Sequence, residues 1–244
     1  MKKKVGIFIS LFIIFSGIII YIFIQDNSTK EHTVSNHLDI NSSLVQEMYN
    51  LINPSNDANV LKDLYENSGL TDKYILNIGI TSYLKEYPNA DKLIIPKANI
   101  EKSIHSVLGY NVTFTHQDVY TLNDYGCGYN YDKDTEQYKL IAGCGGNQFE
   151  SFQRQIVDAV EMNDIIQITE KSIYIYNDWN DYSSRIYIYS NYDQKDLLDY
   201  IETSSSNNYN IEINNYIDKA STYIYTFHKQ NGKYIFDNFK RVNS

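Results

Sequence analysis

Hydrophobic and polar positions alternate in three regimes along the chain. The first is an unbroken apolar run, Val5 to Ile24, twenty residues whose only polar members are Ser10 and Ser16. At about 1.5 Å per residue a helix of that length spans roughly 30 Å, the hydrocarbon thickness of a bilayer. The second regime has helical spacing. Val45, Met48, Tyr49 and Ile52 fall on one face, with Ser43 as a cap, Gln46 three residues on, and Pro54 closing the segment. Thr71-Asp72 opens a second helix, with Ile75, Ile78, Tyr83 and Leu84 as its apolar side and Pro88 as its stop. Gly79 weakens it by about 1 kcal/mol relative to Ala. Ile100, Ile104, Val107 and Leu108 define a third helix that Gly109 ends.

The third regime has strand spacing. Val112 to Thr115 reads as a strand leading into a Tyr-rich region, and several strands are expected between 154 and 190. Ile173-Tyr174-Ile175-Tyr176 and Ile186-Tyr187-Ile188-Tyr189 echo each other as two neighbouring strands. Asn231-Gly232 is a two-residue hairpin turn, which sets Phe227 opposite Phe236 and Lys229 opposite Tyr234, with Tyr223, Tyr225 and Phe227 on one face. Helices first and an antiparallel sheet afterwards predict an α+β fold: an N-terminal transmembrane helix, then about three helices packed on a curved antiparallel sheet. Residues 191–220 read as an insertion, with Ser204 to Asn208 as a surface loop.

Charge gives the apolar run a direction. Lys2, Lys3 and Lys4 precede it, and no base follows it before Lys30, so the positive-inside bias holds the amino terminus in the cytoplasm. The run is longer than a signal-peptide core and lacks a small-residue cleavage site, which favours an uncleaved anchor. The expected organisation is a basic cytoplasmic tail (1–4), a single-pass cell-membrane anchor (5–24), a polar tether (25–40) and an extracytoplasmic domain (41–244). The lipid bilayer is then the partner of residues 5–24. The chain carries −9 overall. Without the three leading lysines, 18 of the 21 bases remain against 30 acids, a charge of −12. Such a surface repels phosphate backbones, so nucleic acid is not an expected partner.

Candidate chemistry is sparse. The chain has no C-x-x-C, no G-x-S-x-G and no H-E-x-x-H, and its five His residues are scattered. No cofactor or metal set is expected. Asp132-Lys133-Asp134-Thr135-Glu136 opens like a calcium loop, but Gln137 and Gly143 stand where Gly and Glu are needed, leaving a solvated hairpin turn. Asn177 to Asp181 reads as a polar turn after a strand. The only two cysteines are Cys127 and Cys144. A hairpin turning at Thr135-Glu136 pairs Tyr131 with Leu140, Tyr129 with Ala142, and Cys127 with Cys144, at a Cα separation of about 4.5 Å. A structural disulfide is the expectation, since export permits it and the cross-link contributes about 3 kcal/mol. Two buried thiols or a reactive Cys are the alternatives. Tyr is unusually common, at 24. It suits either an aromatic face that binds peptide, glycan or a partner domain, or ordinary strands in a composition favouring Ile, Asn, Lys and Tyr.

A basic start, one anchor, a polar tether and a compact exported domain together resemble small membrane-anchored proteins of low-G+C Gram-positive bacteria. Helices followed by strands ending in Tyr-x-Tyr-x-Phe-x(3)-Asn-Gly-x-Tyr-x-Phe, Tyr223 to Phe236, look like NTF2-like or cystatin-like domains. That plan hosts enzymes, binding modules and assembly components alike, so it implies no functional residue. The absence of a catalytic set favours a non-enzymatic binding or interaction module with a protein or glycan partner in the cell envelope. The alternatives are an assembly subunit of a secretion or division complex, or an envelope hydrolase acting through a carboxylate pair.

Overall fold

The computed structural model of the chain describes residues 35–53, 58–66, 69–120, 128–141, 150–180, 183–203 and 211–242. In chain order the elements begin with β1 (Ser35–His37), α1 (Ser43–Ile52), α2 (Ala58–Glu66), α3 (Asp72–Glu86), β2 (Ile94–Pro96) and α4 (Lys97–Leu108). Strands follow: β3 (Val119–Tyr120), β4 (Gly128–Asp132), β5 (Gln137–Leu140), β6 (Glu150–Met162), β7 (Ile165–Asn180), β8 (Ser183–Tyr189), β9 (Leu197–Thr203), β10 (Ser221–Gln230) and β11 (Lys233–Val242).

This arrangement corrects the expected fold of about three helices on one curved antiparallel sheet. Among the described residues strand outweighs helix, 43% to 28%. Four α-helices are described, and the strands divide between a seven-stranded and a four-stranded sheet. The small sheet, ordered β2-β5-β4-β3, is built from strands of two to five residues. Segments that short barely complete one period of alternation, so the pattern does not announce them. Among the described residues no helix is long and apolar enough to cross a membrane. The run 5–24, read as the transmembrane helix, lies outside the described residues, as do the basic tail and residues 25–34.

Each helix forms where apolar spacing and a cap coincide. The Ser42 hydroxyl caps α1 by accepting from the Val45 N–H at 3.4 Å, one residue earlier than Ser43, and Val45, Met48, Tyr49 and Ile52 are buried. Thr71 caps α3 by accepting from the Tyr74 N–H. Helix α3 is buried almost all round, from Tyr74 through Ile80 and again at Tyr83 and Leu84, so it is the central helix of the layer. Helix α4 buries Ile100, Ile104, Val107 and Leu108 and ends at Gly109, whose φ of 80° suits only glycine. Helix α2 joins the same core through Val60, Leu61, Leu64 and Tyr65, and the sequence reading omitted it.

In the large sheet, ordered β1-β6-β7-β10-β11, β8 pairs with β7 and β9 with β8. The β10–β11 hairpin turns at Asn231 and Gly232, with φ of 52° and 79°, and pairs Phe227 with Phe236 and Lys229 with Tyr234 as expected. The echoed segments also pair, Tyr174 with Tyr189 and Tyr176 with Tyr187. Val112–Thr115 joins no strand, and Asn177–Asn180 continues β7 instead of turning. Ser35–His37, inside the stretch read as tether, borders β6 as β1, and the Leu38 N–H donates to the Ala159 carbonyl at 2.8 Å.

Strand β7 decides the architecture because its two faces exchange roles along its length. From Ile165 to Ser172 it pairs with β10, and its even-numbered face (Ile166, Ile168, Glu170) is buried with the helical core. From Tyr174 to Asn180 it pairs with β8; Ile173 and Ile175 of the odd-numbered face are buried, and the even-numbered face is buried at Tyr174 but only half-buried at Tyr176. A second core of Ile173, Ile175, Ile188, Ile211, Ile213 and Ala220 covers that side. The region read as an insertion thus supplies β9 and the segment that covers these isoleucines.

Candidate functional site

Three polar or aromatic clusters stand out among the described residues, and the third presents a row of partly exposed rings to solvent. The first is the buried centre. Glu170 is fully buried on β7. Its carboxylate accepts from the Tyr49 hydroxyl, from Tyr65 at 2.6 Å and from Tyr225 at 3.1 Å. Arg154 on β6 lies 3.7 Å from the same carboxylate and donates to Asn53 Oδ1 at 2.7 Å. The group therefore ties α1, α2, β6, β7 and β10 together. Both oxygens of the carboxylate have donors within the protein, as a buried carboxylate requires.

Burial first, and the Glu170 charge second, push the Tyr49, Tyr65 and Tyr225 phenols well above their usual value of 10.0. The unfolded chain releases those protons first as pH rises. Their contribution is therefore complete below about pH 10 and is lost as pH climbs towards the folded-state values. Urea midpoints are expected to fall steeply above about pH 10, with phenolate absorbance from these rings appearing only on unfolding. Gradual ionisation of all tyrosines in a still-folded protein would contradict this.

The second cluster surrounds His116. Its Nδ1 lies 2.6 Å from the Tyr138 hydroxyl and its Nε2 3.0 Å from Glu101 Oε1. A Glu–His–Tyr series invites comparison with a proton relay, but Tyr138 is fully buried and burial raises its pKa, so it offers no accessible nucleophile. The cluster clamps the irregular segment 112–118 between α4 and the small sheet.

The third cluster is a face of tyrosines. Directly opposed residues of antiparallel strands share a face. Glu150, Tyr176, Tyr187 and Tyr200 form one row across β6, β7, β8 and β9. Phe152, Tyr174, Tyr189 and Leu197 form the next. Asp178, Arg185 and Glu202 form a third, polar row. The face continues the one that α1 and α2 cover over Ile166–Ser172, and helix cover ends where Lys62 of α2 pairs with Glu150 and sits 5.1 Å from the centre of the Tyr174 ring. Beyond that point Tyr176, Tyr187 and Tyr189 are half-buried and Tyr200 is 54% exposed. Tyr187 and Tyr189 are stacked at 6.3 Å and 26°, and Tyr174 and Tyr189 lie 6.3 Å apart at 35°. Arg185 pairs with Glu202 at 3.1 Å, and its bond to the Tyr187 phenol first, then the Glu202 charge, raises its pKa. Burial, then the neighbouring Tyr187 and Tyr176, raises the pKa of Tyr189.

Elsewhere a half-open cleft of about 460 Å³ lies between the end of α4 and β11, lined by Leu108, Tyr110, Val112, His228, Gln230 and Phe236 among others. Its His228 and Asp237 are 4.0 Å apart and both well exposed. Among the described residues no group of three or more His, Cys, Asp or Glu is placed to hold a metal ion. Asp132 of the calcium-like loop instead accepts from the backbone of Asp134 and Thr135 and pairs with Lys139.

Cys127 and Cys144 lie outside the described residues. The hairpin between them differs from the expected register. Tyr131 faces Tyr138 and Tyr129 faces Leu140, a shift of two residues, because the turn is the four-residue Lys133–Glu136. Sequence reasoning missed Glu170 and Arg154 altogether. The signal was present: Glu170 falls in phase with Ile166 and Ile168, on the buried face of a strand. The tyrosine face was legible as composition but not as a place.

The sequence matches no protein-family model, no curated protein and no solved structure.

Proposed function

We propose that the protein is a membrane-anchored, outward-facing binding module that holds a cell-envelope partner on its tyrosine face. The observation that carries this is the open end of an otherwise covered sheet face: four partly exposed tyrosines on three adjacent strands, just past the last helix that packs there. Large, stiff aromatic rings with a polar tip gain contact area at little entropic cost, and for that reason they dominate binding hot spots. The Glu170 cluster is closed and structural, and the phenol of the His116 cluster is fully buried, which supports a binding role over a catalytic one. The lysine-flanked run 5–24 supports the anchor and the outward orientation. An oxidising exterior would also favour a Cys127–Cys144 disulfide.

Full-length protein in detergent is expected to sediment with isolated cell envelopes. The Tyr187→Ala/Tyr200→Ala variant, with an unchanged circular dichroism spectrum, is expected to bind at least about tenfold more weakly. In protoplasts, protease added outside is expected to remove a tag placed after Ser244. Equal sedimentation of the variant, or a protected tag, would overturn the binding face or the orientation respectively.

A further inference from the structure

The rings, the charges and the shape of the tyrosine face together constrain what can lie on it. We infer that its ligand is a neutral glycan chain running across β7, β8 and β9; this deepens the binding-face reading above and rests on it.

Charge comes first. The charged side chains bordering the rings are already engaged: Lys62 with Glu150, Arg185 with Glu202, and Asp178 in contacts of its own. A ligand carrying charge would have to displace a partner, and an anionic one would also approach a chain of net charge −9. Nucleic acid, which also stacks on aromatic rings, needs a cationic track beside them that this face does not offer. The ligand that fits is uncharged.

Shape comes second. Tyr176, Tyr187 and Tyr200 lie in one row across β7, β8 and β9, and Tyr187 and Tyr189 are stacked at 26° beside the fully buried Tyr174. Adjacent strands are about 4.8 Å apart, so rings on β7, β8 and β9 spread over roughly 10 Å. That suits a short chain of rings lying flat. A protein partner anchors instead by sinking an aromatic or aliphatic side chain into a pocket. The cleft of about 460 Å³ opens elsewhere, between the end of α4 and β11. A sugar presents an apolar C–H face to stack on a phenol ring and a rim of hydroxyls to bond its tip. Tyr offers both at one residue, and Tyr200, at 54% exposed, stands at the outer end of the row.

The test is a glycan array of neutral oligomers of glucose, mannose, galactose and N-acetylglucosamine, with acidic uronate oligomers alongside, probed with the full-length chain in detergent. At least one neutral oligomer is expected to bind, with affinity falling about tenfold in Tyr187→Ala and retained in Tyr187→Phe, which keeps the stacking ring. Preference for the uronates, or absence of Tyr187-dependent binding to any neutral oligomer, would overturn the assignment. If envelope sedimentation still depends on Tyr187 and Tyr200 in that case, the binding face stands and its ligand is a protein. If sedimentation is also indifferent to both residues, the binding face itself fails.

Discussion

Glu170→Ala is expected to destabilise the folded protein by about 3–5 kcal/mol, the range for breaking a buried ion pair by removing one partner. The side chain is fully buried and answers three phenols and one guanidinium. Without the carboxylate, Arg154 loses its buried counter-charge while keeping its bond to Asn53, and the Tyr49 and Tyr65 hydroxyls lose their acceptor. An unpaired buried polar group costs about 1–3 kcal/mol by itself. Where Glu170→Ala leaves too little native protein to measure, Tyr225→Phe serves as the graded version. It removes one bond to a charged acceptor and is expected to cost about 1.5–3 kcal/mol. Urea unfolding followed by circular dichroism measures both. A loss below about 1 kcal/mol for Glu170→Ala would show that the cluster is not the tie between helices and sheet.

Gly79→Ala is expected to destabilise as well, by roughly 1–2 kcal/mol, although alanine is the better helix former by about 1 kcal/mol. A Cβ at this position would sit 2.5 Å from Ile104 Cγ1 and 2.9 Å from Ile100 Cγ2. Both isoleucines are fully buried in α4, so neither can swing out of the way without disturbing a close-packed core. Overpacking of this kind costs about 1–3 kcal/mol and outweighs the propensity gain. Ile104→Ala in the same chain is expected to relieve the clash, so the double variant should lose less than the two single losses added together. A stabilising Gly79→Ala would place α3 and α4 further apart than described here.

These two sites also show why part of the fold was legible beforehand and part was not. Helices α1, α3 and α4 could be read because spacing and caps are local: Thr71 caps α3, Gly109 stops α4, and the apolar residues between them repeat with the helical period. The hairpin at Asn231-Gly232 was readable to the residue, since a two-residue turn needing positive φ at both positions sets its own register. The hairpin before the second cysteine was not. Asp132 bonds to the backbone of Asp134 and Thr135, which stabilises a four-residue turn and moves every pair by two. Gly79 looked like a weak point in a helix, and only the crossing of α4 explains it.

The chain alone determined where α1, α3 and α4 and the final hairpin form, that Tyr223, Tyr225 and Phe227 share a buried face, and that Ile173–Tyr176 and Ile186–Tyr189 lie side by side. All of these rest on periodicity or on contacts close in sequence. Tertiary structure decided that the strands split into two sheets, that Glu170 meets tyrosines 121 and 105 residues away, and that on β7 Tyr174 is buried while Tyr176 is left partly exposed. Ile and Tyr alternate without interruption from Ile173 to Tyr176, so the local pattern is equally content with either face inside. The choice falls to whatever arrives to cover one of them. Here residues 211–220 take the isoleucines, helix cover reaches Tyr174 through Lys62, and Tyr176, Tyr187 and Tyr189 are left partly exposed beyond it.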